Sequence, residues 1–163
     1  MYEKYGQFID GKWHKSSTGE TYEVINPANE EIIGKASKAS PEDVDKALLS
    51  AQKGLEVWKK TPPWQRAYIL RRIADKMREK QDILAKWMTL EVGKPFAEAK
   101  GEVNGAADIY EWNAEETKRI YGQTVESRFE DTRVHVYYQP VGVVAALVPV
   151  SYTHLRAHET SSY

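Results

Sequence analysis

Apolar and polar positions alternate with a period of two near both ends of the chain and recur every three to four residues in between. Gln7-Phe8-Ile9-Asp10-Gly11-Lys12-Trp13 reads as a tight hairpin. Its Asp10-Gly11 pair suits the positive φ angles of a type I′ turn, and apolar residues flank it. A polar loop covers Ser16 to Glu20. Val24-Ile25 then runs into Asn26-Pro27, a turn signal, and Ile32-Ile33-Gly34-Lys35-Ala36 reads as another short strand.

The first helix is expected to start at Ser40-Pro41-Glu42-Asp43. Serine can cap it, proline fits the first turn, and the acids oppose the helix dipole. Val44, Ala47, Leu48, Ala51, Leu55 and Trp58 fall on one face. Thr61-Pro62-Pro63 ends this helix and begins a second, in which Ile69, Ile73 and Met77 lie four apart. Asp82 is expected to cap a third helix through Leu84, Trp87, Met88 and Glu91, closed by Gly93 and Pro95. The fourth is expected from about Phe96 to Tyr121, with Gly122 at its end and an inner stripe of Val103, Ala107, Tyr110, Ala114 and Thr117. Gly101 and Gly105 would thin one side of it for close contact with another element.

Thr124-Val125-Glu126-Ser127 and Val134-His135-Val136-Tyr137-Tyr138 read as two strands, with Val134, Val136 and Tyr138 on one face. Gln139 to Pro149 is an uncharged apolar run between two prolines, suited to a strand buried on both faces as in a parallel sheet. Such a strand needs a crossover and neighbours. The expected class is therefore α/β, in the order hairpin, helices, β-ribbon, buried strand. Beyond Pro149 the chain shows neither period nor cap.

Composition narrows the functional classes. The chain has 163 residues, 41% apolar and 29% charged, which is enough for one domain with a core. A net charge of −1 gives no basis for nucleic-acid or anionic-membrane binding. No apolar run reaches membrane-spanning length, and cytoplasmic is the default compartment. Cysteine is absent, which removes disulfides, thiolate metal sites and thiol catalysis by this chain alone.

Each candidate for chemistry has a plainer reading beside it. Arg66, Arg71, Arg72, Lys76, Arg78 and Lys80 make the second helix basic, but they spread around it with Asp75 and Glu79 between, as on a solvated face. His154 and His158 stand four apart without a third metal ligand. Gly93-Lys94-Pro95 lacks the rest of a phosphate loop and suits a helix stop. Glu91, Glu98 and Glu102 could pair as acid and base, or simply lie on the surface. The five tryptophans suit packing better than substrate stacking. These residues alone describe a soluble α/β domain without a complete catalytic set and without a metal site.

Several segments, taken in order, resemble the aldehyde dehydrogenase family. They are Phe8-Ile9-Asp10-Gly11-Lys12-Trp13, Ile25-Asn26-Pro27-Ala28 and the Glu42-Asp43-Val44 helix start. Thr89-Leu90-Glu91-Val92-Gly93-Lys94-Pro95, followed by Ala97-Glu98-Ala99-Lys100-Gly101-Glu102-Val103, is the most specific match. Glu111-Trp112, Lys118-Arg119-Ile120-Tyr121-Gly122 and Gln139-Pro140-Val141-Gly142-Val143-Val144 complete it. The helical run from Thr89 to Gly122 is most similar to the succinate-semialdehyde dehydrogenase branch.

The resemblance implies the N-terminal part of that fold, with residues 1–149 forming part of a cofactor-binding domain. Within it, an oligomerisation ribbon lies at about 123–139 and the first buried strand belongs to an incomplete sheet. It implies NAD(P)-dependent oxidation of an aldehyde to an acid. In that chemistry a cysteine thiolate attacks the aldehyde, hydride leaves for the nicotinamide, a backbone and asparagine pocket holds the oxyanion, and a glutamate activates water. Leu147, Val148 and Pro149 match positions that line the nicotinamide end of the cofactor cleft. Gly105 matches a helix position facing the substrate tunnel.

Where the family continues with Trp-Asn-Phe-Pro, this chain has Val150-Ser151-Tyr152, which puts the oxyanion asparagine in doubt. The chain alone is thus expected to bind no NAD or NADP and to be inactive. The parent is expected to be a homo-oligomer, dimer or tetramer, acting on a small aldehyde. The alternative is a non-catalytic interaction module that assembles through the ribbon. Residues 150–163 are expected not to belong to the fold, because Ser151 to Thr160 resembles translated sequencing-adaptor DNA.

Overall fold

The computed structural model describes residues 6–147. The described residues form three separate two-stranded antiparallel ribbons and four α-helices. The strands β1 (Gln7–Ile9) and β2 (Lys12–His14) form the first. Asp10 and Gly11 both take positive φ, 52° and 75°, the type I′ geometry that matches the twist of the two strands. Phe8 lies opposite Trp13, with ring centroids 5.0 Å apart.

The second ribbon pairs β3 (Thr21–Ile25) with β4 (Ile32–Ser37), with a bulge between Val24 and Ile25. Asn26 closes the loop between them from three sides. Its Oδ1 accepts from the Ala28 amide at 3.0 Å, its own amide donates to the Glu31 carbonyl at 2.8 Å, and its carbonyl accepts from the Glu30 amide at 2.8 Å. That is the Asx-turn chemistry expected before a proline.

Four helices follow: α1 (Pro41–Trp58), α2 (Pro63–Glu79), α3 (Gln81–Val92) and α4 (Phe96–Glu116). A 3₁₀ turn covers Thr117–Arg119. The third ribbon joins β5 (Gln123–Glu126) to β6 (Arg133–Val136), with Val125 opposite Val134.

The core lies between α2, α3 and α4, and alanine dominates it. Ala67 and Ala74 of α2, Ala85 of α3, and Ala99, Ala106, Ala107 and Ala114 of α4 are buried; Met88 and Val103 are the larger members. Small side chains let α2 and α3 lie close along α4, so packing rests on backbone proximity more than on large side chains. Ion pairs stitch the rim: Arg78 reaches Asp108 and Glu111, each at 2.7 Å, and Arg71 meets Glu115.

Several expectations are corrected here. Residues 139–147 form no strand. Val141 is 93% exposed and Leu147 94%, because no neighbouring strand among the described residues supplies ladder partners for this run. Asp82 does not cap α3. It lies inside the first turn and pairs with Lys100 at 2.7 Å, while Lys80 occupies the cap position without a side-chain bond. The α-helical part of α4 ends at Glu116, where the backbone tightens into the 3₁₀ turn.

Tyr110 is 37% exposed and leaves the inner stripe, which Ala99 and Ala106 complete instead. A Cβ at Gly101 or Gly105 would meet open space, so neither glycine makes a close approach here. The apolar face of α1 forms as a stripe but stays open, with Val44, Leu48 and Trp58 exposed. Val134, Val136 and Tyr138 are likewise exposed, and Tyr138 lies outside β6.

Candidate functional site

Of the residues expected to face a nicotinamide, only Leu147 lies among the described residues. Leu147 projects from an unpaired segment, and Val148 and Pro149 lie outside the described residues, as do His154 and His158. A dinucleotide needs a concave backbone cradle at strand ends. Residues 139–147 form no such cradle among the described residues. The chain also holds no cysteine to act as a nucleophile.

Several of the other candidates are held in ion pairs. Lys94 pairs with Glu102, which removes both from free phosphate or acid–base work. On α2, Arg71 and Arg78 pair with carboxylates of α4, and Lys76 pairs with Glu79 at 2.5 Å, as on an ion-paired solvated face. Among the described residues no group of three or more histidines and carboxylates could hold a metal ion. No helix among them is long and apolar enough to cross a membrane.

Asp43 carries more than dipole compensation. It sits at the third position of α1, where Ser40 and Asp43 form a reciprocal capping box. Its Oδ2 also accepts from the Ser17 amide and the Ser40 amide at 3.1 Å each, from Gln7 Nε2 at 3.2 Å and from Ser16 Oγ at 3.4 Å. Asp43 is only 4% exposed. These donors, the Ser17 and Ser40 amides first, hold its carboxyl well below the usual aspartate range. One carboxylate thereby ties β1, the 16–17 loop and α1 together. The capping residues were visible in the sequence; the loop and strand donors were not, because they come from 26 and 36 residues away.

A cleft of about 960 Å³ lies where the α1–α2 corner meets the 3₁₀ turn and the base of the third ribbon. Lys59, Arg66, Lys118 and Arg119 line it, and no acidic residue does. Lys118 also lies over the Trp64 ring, 4.9 Å from its centroid. Sequence reading missed this cleft because its walls come from four separate segments.

A sequence profile described as the aldehyde dehydrogenase family matches residues 13–157. The chain belongs to this family. It is 46% identical over 142 residues to glutarate-semialdehyde dehydrogenase of Pseudomonas aeruginosa, covering 87% of this chain and 29% of that protein. It is 45% identical over 141 residues to the NADP(+) succinate-semialdehyde dehydrogenase of Escherichia coli, covering 86% and 29%. Among solved structures it resembles an E. coli NADP-dependent enzyme, with a TM-score of 0.77, 41% identity, and coverage of 82% of this chain and 28% of that one. It also resembles a betaine aldehyde dehydrogenase of Staphylococcus aureus solved with NAD+, with a TM-score of 0.74, 30% identity, and coverage of 80% and 27%. The chain thus spans under a third of the length of these relatives.

Two aldehyde dehydrogenase motifs that are distant in the sequence meet in the fold. Gly93 takes the left-handed conformation that ends α3, and a Cβ there would lie 3.0 Å from Pro27 Cγ. The Asn26-Pro27-Ala28 turn and the Gly93-Lys94-Pro95 corner therefore pack on each other, and glycine at 93 meets a steric as well as a backbone need.

Proposed function

We propose that this chain is the N-terminal part of an NAD(P)-dependent semialdehyde dehydrogenase of the cytoplasm. The reaction proposed for the whole enzyme converts an aldehyde, an oxidised nicotinamide cofactor and water into a carboxylate, the reduced cofactor and protons. The observation that carries this reading is the 45–46% identity to succinate- and glutarate-semialdehyde dehydrogenases across more than four-fifths of the chain. Leu147, Val148 and Pro149 would line the nicotinamide end of the cofactor cleft in the whole enzyme. Residues 1–149 would belong to the cofactor-binding domain.

The chain by itself is inactive on this reading, since it has no thiol and no formed cradle. Purified chain mixed with succinate semialdehyde or glutarate semialdehyde and either NAD+ or NADP+ should give no rise at 340 nm above buffer. Grafting residues 13–147 into the E. coli succinate-semialdehyde dehydrogenase should retain oxidation of a semialdehyde. A graft that folds and assembles but oxidises neither semialdehyde would refute the assignment.

A second reading is favoured by the third ribbon, which exposes Val125, Val134, Val136, Tyr137 and Tyr138. An uncovered two-stranded ribbon offers unpaired edge groups to another chain. On this reading residues 123–139 act as an oligomerisation arm.

A further inference from the structure

We propose that the cleft at the α1–α2 corner is a carboxylate-binding site centred on Arg66. Four cations and no carboxylate line the cleft. Three of the four already have acidic partners nearby. Lys59 pairs with Glu56 at 2.5 Å, Lys118 with Glu115 at 2.5 Å, and Arg119 with Glu116 at 2.8 Å. Arg66 is the exception, for its side chain makes no hydrogen bond or ion pair among the described residues, and its Nε is buried without an acceptor. A buried donor on a charged group is costly to leave unmade, and such an orphan in a folded protein calls for a missing partner.

Shape and chemistry select the class of ligand. Trp58, Pro63, Tyr121, Tyr138 and Pro140 line the same cleft as Arg66 and give it apolar surface. A planar guanidinium matches a carboxylate through two parallel N–H···O bonds, and a small rotation of the Arg66 side chain would present its Nε–Nη edge in that way. The walls suit a short carbon chain attached to the carboxylate. Leu147 does not line this cleft, and the proposal does not depend on the nicotinamide chemistry.

The test uses the full chain with succinate as the probe and sulfate as the comparison anion. Trp58 lines the cleft and Trp64 lies beside it, so succinate should change tryptophan fluorescence saturably, and it should shift the Arg66 Nε–H resonance. Arg66→Gln should weaken binding by about tenfold or more, the loss expected for a hydrogen bond to a charged group. Arg66→Lys should retain part of it. If Arg66→Gln does not fold, the Nε–H shift in the unaltered chain decides alone. No saturable response, a response unchanged in Arg66→Gln, or equal binding of sulfate would overturn the proposal.

Discussion

Replacing Val103 by alanine probes whether the α3–α4 seam is the stabilising core. Val103 is 2% exposed and is the largest of the fully buried side chains among the described residues, packed with Ala85, Met88 and Ala99. The substitution removes two methyl groups at about 0.8 kcal/mol each. A cavity term of about 1 kcal/mol adds to this, held down because the flexible Met88 beside it can shift part-way into the gap. Alanine's better helix propensity returns roughly 0.5 kcal/mol. The net loss should be about 2 kcal/mol, or a fall in Tm of about 5 °C for a domain of this size. Urea unfolding followed by circular dichroism at 222 nm, with a common m value for both proteins, measures it. Val57→Ala is the control: Val57 is 69% exposed on α1, so its loss should lie within about 0.5 kcal/mol of zero. Equal effects at the two positions, or a Val103→Ala loss under about 0.5 kcal/mol, would refute the assignment of the core.

Gly93→Val should cost about 2 kcal/mol, because it forces a β-branched residue to φ 76° and its Cβ against Pro27; Gly93→Asn should cost less, as denaturant midpoints would show. Asp43 gives a pH prediction. Its carboxyl lies below its ordinary value of 3.8, so its stabilising contribution is fully present above that value and is lost as pH falls through it toward the lower folded value. Tm measured from pH 6 down to pH 2 should therefore decline less steeply in Asp43→Asn than in the parent, and parallel curves would contradict the linkage. Val134→Lys and Val136→Lys, placed on the open ribbon, should reduce any self-association seen by light scattering at high micromolar concentration, with no loss of helical signal.

Local chemistry was readable wherever a few neighbouring residues sufficed. Asp10-Gly11 specified its turn, Ser40 its cap and Gly93 its helix stop, because each satisfies backbone groups within its own turn. The order of motifs likewise placed the chain in its family before any contact was known. The fate of 139–147 could not be read in the same way. A strand's intrinsic preference counts only when another backbone accepts its hydrogen bonds, and no described strand does so here. The same holds for the open face of α1: periodicity shows that a face is apolar, whereas its cover depends on other elements.

The amino-acid sequence by itself determined the hairpin turn, the helix starts and stops, and the apolar stripes, since these follow from dihedral preference and from side chains one turn apart. Only the tertiary structure decided which stripes became core, that Asp43 gathers donors from three segments, and that Arg66 Nε is buried without an acceptor among the described residues. The reason is physical: burial and electrostatic pairing are set by distances through space, which separation along the chain does not encode.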